Sequence, residues 1–244
     1  MGIVGGMENN FAQAFAEAFR MLAHLDADVL EIVGLSLEVS LTAVALAALV
    51  GMPAGAALAL HRFPGRQPLV VLVTALMGLP PVLLGLVVYL LLSRSGPLGV
   101  LGLLYTPTAM IIAQALLVLP IVIALSQRVV ASMWEEYAEL MQSLNVRGLH
   151  LVLTMLYEAR LALMTVGLAA FGRAIAEVGA VMIVGGNINH ATRVMTTAIA
   201  LETSRGNLAL ALALGLVLLL LALLVNVGVH VVARISGERN MVAA

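Results

Sequence analysis

With 244 residues, 62% of them hydrophobic and only 10% charged, at a mean hydropathy of +1.11 and a formal net charge of −1, the chain lies outside the range of soluble globular proteins. The near-neutral balance carries no nucleic-acid signal, and the lack of any cysteine excludes disulfide and thiolate chemistry. All 12 basic residues are arginine, which removes the lysine that a Walker A loop or a Schiff base needs, so any nucleotide that drives this protein is hydrolysed by another chain.

Met1 to Met7 has no basic region and leads into no long apolar core, so no secretory signal is expected there. Residues 1–32 read as an N-terminal interfacial helix. Asn9 or Asn10 is placed to cap it, Phe11, Phe15, Phe19 and Leu22 share one face, and Gln13, Glu17, Arg20 and His24 occupy the others. A helix laid over a bundle would show the same pattern.

Residues 33–234 hold five apolar runs: Val39 to Leu60, Leu69 to Leu92, Thr108 to Leu125, Leu161 to Val184 and Leu208 to Ala233. Each approaches or exceeds the roughly 20 residues that cross a bilayer as helix. Only Arg173 and Glu177 are ionised inside them, and no short alternating strands of a barrel occur. The expected fold is an all-α membrane protein with five transmembrane helices. Gly51, Pro53 and Gly55 interrupt the first run, Gly78, Pro80 and Pro81 the second, and Pro120 the third, which predicts kinked helices splayed around a pathway. The general enrichment of Gly and Pro in membrane helices is the plainer account.

Five spans put the termini on opposite sides. One side collects Arg62, Arg66, Arg128, Arg147, Arg160, Arg234 and Arg239; the other has Arg20, Arg94, Arg193 and Arg205 among Glu8, Glu17, Asp26, Asp28 and Glu31. The positive-inside rule then sets the N-terminus outside and the tail, residues 235–244, in the cytoplasm of a multi-pass cell-membrane protein.

Between the third and fourth runs, residues 132–158 change character. Ser132-Met133-Trp134-Glu135 reads as a capping box opening a helix, with Glu136 adding negative charge at its positive end. Tyr137, Leu140, Met141 and Leu144 recur at helical spacing on one face, and Glu135, Glu136, Glu139 and Gln142 cover the other. Asn145 tolerates left-handed geometry and ends the helix; Arg147-Gly148 turns the chain, and Leu149 begins a second helix running through Glu158 and Arg160 into the fourth span. A knob with one apolar stripe suits insertion into a groove on a soluble partner. An amphipathic linker on the bilayer surface is the alternative, and the acidic face speaks against it because anionic lipid would repel it.

Glu139-Leu140-Met141, Asn145 six residues after Glu139, and Leu156-Tyr157-Glu158-Ala159-Arg160 resemble the coupling loop of type I ABC importer permeases. That loop reads Glu-Ala-Ala, a glycine six residues on, and later Leu-Pro. Leu140-Met141 replace the alanines here, Asn145 the glycine and Tyr157 the proline, which puts the geometry of the second turn in question. Phe171-Gly172-Arg173-Ala174-Ile175-Ala176-Glu177-Val178-Gly179-Ala180 is similar to the molybdate and tungstate branch. Gly185-Gly186-Asn187-Ile188 and Thr192-Arg193-Val194-Met195-Thr196-Thr197 through Glu202 look like the tungstate type in particular, since the proline of the molybdate type is missing. The resemblance runs from the first span to the C-terminus. It implies a permease fold with an N-terminal amphipathic helix and a cytoplasmic coupling helix, and an oxyanion importer, tungstate foremost. It further implies a homodimer with a second copy of the chain, a cytosolic ATP-binding subunit, an extracytoplasmic oxyanion-binding protein and no cofactor. Glu135, Glu136, Glu139, Leu140, Met141, Asn145, Arg147 and Gly148 would then couple to the ATPase.

Arg173 and Glu177 stand one helical turn apart, and in hydrocarbon either alone costs several kcal/mol, so pairing is expected. The pair reads either as an ion pair that fixes helix rotation or as a pathway-facing pair that rearranges with a gate. Gly185-Gly186-Asn187 ends the fourth span, and Thr192, Arg193, Thr196 and Thr197 follow with hydroxyls and a guanidinium suited to a tetrahedral dianion. An outer-gate or binding-protein contact is preferred for them over direct substrate capture, with Glu202 pairing Arg205 rather than Arg193. Enzyme readings find little: His24, His61, His150, His190 and His230 never fall three or four apart, and no run carries an aspartate. An ATP-independent secondary carrier or channel for an anion is the competing class; it leaves the capped acidic knob and the lack of a detectable inverted repeat unexplained.

Overall fold

The computed structural model describes residues 4–24 and 26–242, with side chains described over 13–24 and 26–234. All regular structure among the described residues is helical. In chain order the helices are α1 (Val4–Ala23), α2 (Ala27–Leu60), α3 (Arg66–Leu76), α4 (Pro81–Leu92), α5 (Pro107–Ser143), α6 (Gly148–Glu158), α7 (Arg160–Ile175), α8 (Gly179–Gly185), α9 (Met195–Arg205) and α10 (Leu208–Val242), with a 3-10 turn at Gly99–Leu101. Three helices are long and apolar enough to cross a membrane: α2, α5 and the Leu208–Arg234 part of α10. The bent pairs α3/α4 and α6/α7 raise the number to five if each counts as one span.

Boundaries differ from the sequence reading where capping or packing outweighs hydropathy. Helix α1 starts at Val4, so Asn9 and Asn10 lie within it rather than capping it. It packs against α10, with Ala18 fully buried and Leu22 joining the cluster of Val29, Ile32, Ile175, Met195 and Leu214, which favours the overlaid helix. The first span begins at Ala27 rather than Val39, because the Asp26 carboxylate accepts the Asp28 amide at 3.0 Å and caps the helix there. At its other end the Arg66 guanidinium donates to the Leu58 carbonyl at 2.8 Å, satisfying a terminal acceptor.

Pro53 and Pro120 do not break their helices, since α2 and α5 each run through unbroken. Gly51 and Gly55 serve contact instead. A Cβ at Gly55 would sit 2.5 Å from the Ile123 carbonyl oxygen, and one at Gly51 would sit 2.9 Å from Val122 Cγ1. This small-xxx-small ridge lets α2 and α5 approach closely, the contact that substitutes for hydrophobic drive in lipid. Pro80 and Pro81 do break the second span, and α3 meets α4 at 99°.

The opening of a helix at Ser132 is corrected as well. Nothing between Pro120 and Ser143 is Gly or Pro, so the third span continues as one helix to Ser143, and the amides a cap would satisfy are already bonded within it. One buried cluster joins Val118, Val122, Val130, Met155, Ala170 and Ala174 toward the knob end; another joins Val39, Val88, Ala109, Met110, Ala180 and Val184 toward the opposite end.

Candidate functional site

The knob is built from the last turns of α5 and from α6. Asn145 takes φ 53 and the Val146 amide returns to the Met141 carbonyl at 3.1 Å, so the left-handed stop stands where it was expected. Gly148, at φ 60, opens α6. Glu135, Glu136, Glu139, Arg147 and Gly148 are exposed. The expected apolar stripe divides: Tyr137 and Met141 turn into the bundle, while Leu140 and Leu144 face outward. Helix α6 supplies the rest of the outward apolar surface through Leu149, Leu153 and Tyr157, with Leu149 70% exposed. Their i, i+4, i+8 spacing is the signal the sequence carries for this face. The family proline is replaced by Tyr157 without losing the second turn. Arg160 donates to the Tyr157 carbonyl at 2.7 Å and lies over its ring at 4.2 Å, Ala159 is buried beneath, and α6 bends into α7 by 76°.

The fourth apolar run is two helices. Helix α7 stops at Ile175, Ala176-Glu177-Val178 form a break, and α8 resumes at Gly179. Glu177, only 4% exposed, spends both carboxylate oxygens at this break. Oε1 accepts the Ala180 amide at 3.1 Å, and Oε2 accepts Arg173 Nη1 at 2.8 Å. The pair of the sequence reading is therefore present, and the acid also caps α8.

Helix α9 begins against the same break. Thr196 Oγ1 donates to the Glu177 carbonyl at 2.7 Å, and the Met195 amide donates to Ser36 Oγ at 2.8 Å. From α5, Gln114 Nε2 donates to the Ala174 carbonyl at 3.0 Å, while its buried Oε1 has no partner. Ser36, Ser40, Gln114, Glu177 and Thr196 enclose a cavity of about 10 Å³, close to the room one water takes. Ser40 and Gln114 are isolated polar residues inside apolar runs, which is the signal the sequence carries for this cluster.

The segment 185–194 is stapled to α9 rather than left open. Thr192 Oγ1 donates to the Gly185 carbonyl at 2.5 Å and accepts the Ile188 amide at 3.0 Å. Thr197 Oγ1 accepts the Val194 amide at 3.2 Å and lies 3.0 Å from Asn187 Oδ1. Gly186 at φ 72 and Asn187 at φ 51 make the turn, and a Cβ at Gly186 would strike the Tyr105 ring at 2.8 Å. The hydroxyls of Thr192, Thr196 and Thr197 are thus committed to the chain's own backbone and amides in this conformation. Glu202 takes Arg205 at 3.1 Å and Asn207 at 3.0 Å, as the spacing of Glu202 and Arg205 led one to expect; the exclusion of Arg193 is corrected, since the chain turn brings its Nη1 to 4.0 Å from the same carboxylate, with a buried Nε that has no partner. The His190 ring sits 2.8 Å from Glu31, tying this segment to the start of α2.

Known proteins are similar to this chain in sequence. A tungstate uptake system permease protein of Peptoclostridium acidaminophilum is 42% identical over 196 residues, covering 80% of this chain and 86% of that one. Its counterpart in Campylobacter jejuni is 42% identical over 80% of this chain and 82% of its own length. A probable anion ABC transporter permease of Haloferax volcanii is 42% identical over 74% of this chain and 80% of its own. Residues 51–236 match the family of binding-protein-dependent transport system inner membrane components, to which this chain therefore belongs.

Proposed function

We propose that this chain is the membrane-spanning subunit of a tungstate importer, which lines the translocation pathway as a homodimer and is driven by ATP hydrolysis in a separate cytosolic subunit. The observation that carries the reading is the knob: an exposed rim of Glu135, Glu136, Glu139 and Arg147 around outward Leu140, Leu144, Leu149, Leu153 and Tyr157. Apolar anchors within a charged rim have the composition of a protein-docking surface. The printed function of the Peptoclostridium and Campylobacter relatives supports tungstate as cargo.

The excess of arginine at the knob end supports placing the knob and the C-terminus in the cytoplasm and the N-terminus outside. An extracytoplasmic binding protein would then meet the opposite end, near segment 186–194. A dianion desolvated in the bilayer needs donors along its route. Arg173, half-exposed beside the break, is the donor at mid-span, and Arg193 with Asn187 serves the outer mouth. Opening would release Thr192, Thr196 and Thr197 from their staples and turn hydroxyls toward the path.

Uptake by the reconstituted complex of permease, ATPase and binding protein tests the reading. Radiolabelled tungstate should enter only with ATP, and excess molybdate and sulfate should compete less well than unlabelled tungstate. Glu139→Lys should abolish co-purification of the ATPase while insertion persists. ATP-independent uptake by the purified chain alone would replace the importer with a secondary carrier.

A further inference from the structure

The loop between α4 and α5 carries apolar side chains that nothing in the chain covers. Val100 is 96% exposed, Leu101 56% and Leu98 44%, on the 3-10 turn and just before it. A loop reaching into water would not hold three such residues in a row of four without a binding role. This loop does not reach outward. The Leu98 amide donates to the Leu91 carbonyl at 3.0 Å, and a Cβ at Gly96 would lie 2.1 Å from the Leu90 carbonyl oxygen. The chain therefore folds back along α4 after Ser93, which brings Leu98 level with the last turn of that helix. There it continues the exposed apolar surface of Leu86, Leu90 and Leu91.

We infer that residues 98–101 form a wedge seated in the leaflet at the end opposite the knob, with bilayer lipid as the partner. Three observations select lipid as the occupant. The depth is that of the last turn of α4. The apolar surface is continuous with the exposed leucines of α4, Leu86, Leu90 and Leu91. Arg94, exposed at the turn between helix and wedge, is placed to meet a lipid phosphate, and Tyr89 and Tyr105 stack edge-on at 6.5 Å at the same level, as interfacial aromatics do. The consequence concerns partners: a loop held in lipid leaves residues 186–194 and the start of α2, clasped by Glu31 and His190, as the surface open to a soluble protein at this end. The inference is independent of which anion is carried.

The native chain has no cysteine, so one introduced thiol reports one place. Val100→Cys, with Leu101→Cys as a second position, is spin-labelled in the full chain and reconstituted in vesicles of phosphatidylcholine and phosphatidylglycerol. Power saturation then compares collision with oxygen, which concentrates in the bilayer, and with a water-soluble nickel chelate. Leu224→Cys on α10 and Ser95→Cys serve as lipid and water references. Labels at 100 and 101 should collide with oxygen several-fold more than with nickel, as the label at 224 does. Dominant nickel collisions would mean a loop standing in water, open to a binding protein. Low collision rates with both would mean a second copy covers it. Either result overturns the wedge.

Discussion

Removing Arg173 should damage the protein more than removing Arg173 and Glu177 together. In the structure Glu177 is almost wholly buried and holds Ala180 N with one oxygen and Arg173 with the other. Taking away one partner of a buried ion pair costs about 3–5 kcal/mol, because a charge remains without compensation. Arg173 is 38% exposed, so water screens part of this, and about 2–3 kcal/mol is the working figure for Arg173→Met. In Arg173→Met combined with Glu177→Gln, the amide oxygen still accepts Ala180 N and no charge is buried, so about 1–2 kcal/mol should return. At roughly 2–4 °C per kcal/mol for a chain of this size, the single change should lower the melting temperature by about 5–10 °C and the double change by about half of that. Thermal melts of the purified variants in nanodiscs measure both, alongside the Glu177→Gln single variant to close the cycle. Equal melting temperatures for the Arg173 single and the double variant would refute the compensation argument.

Gly55→Val should disrupt α2–α5 packing, because its Cβ would start 2.5 Å from backbone at Ile123; Gly34→Ala, where no atom lies within 4 Å, should be neutral or slightly stabilising. Yield of folded protein and melting temperature separate the two. Leu149→Asp with Leu153→Asp, both on the outward face of α6, should leave the melt unchanged and cut co-purification of the ATPase at least tenfold; undiminished binding would remove α6 from the docking face. Gln114→Leu should spare ATPase binding and lower coupled uptake, because it deletes the link from α5 to the Ala174 carbonyl; unchanged uptake per ATP hydrolysed would show that this link does not transmit motion.

Hydropathy made the spanning helices legible, and spacing made the left-handed stop at Asn145, the Arg173–Glu177 pair and the Glu202–Arg205 pair legible. The misreadings share a cause: local patterns were weighed without tertiary partners. The signature at Ser132 has the chemistry of a cap but no breaker before it, so helix propagation wins. Pro53, exposed on α2, and Pro120, buried in α5, both stay helical, whereas Pro80 beside Pro81 removes two amides at once and the second span folds over. The break at 176–178 contains no proline at all. It depends on a carboxylate satisfying the next helix's amide, and on a hydroxyl from α9 satisfying the Glu177 carbonyl, partners that only the fold brings together.

The breaks in the second and fourth apolar runs are one feature in space. A Cβ on Gly179 would lie 2.7 Å from Val82 Cγ2, and one on Gly85 would lie 2.7 Å from the Ala180 backbone, so the starts of α4 and α8 rest directly on each other. Irregular backbone at membrane depth persists only where protein or a water-filled path satisfies it. Placing the two breaks side by side gathers irregular backbone in one place and leaves α2, α5 and α10 free to be continuous. Helix α5 uses that freedom: its 37 residues make a rod of about 55 Å from the Thr106 cap to the knob. Along it lie Gln114, bonded to Ala174 just before the break, and Tyr105, whose amide precedes the rod and bonds the Val184 carbonyl at the far end of α8. Helix α5 therefore ties the knob to the end of α7, through Gln114 and the Ala174 carbonyl, and to the far end of α8, through the Tyr105 amide and the Val184 carbonyl.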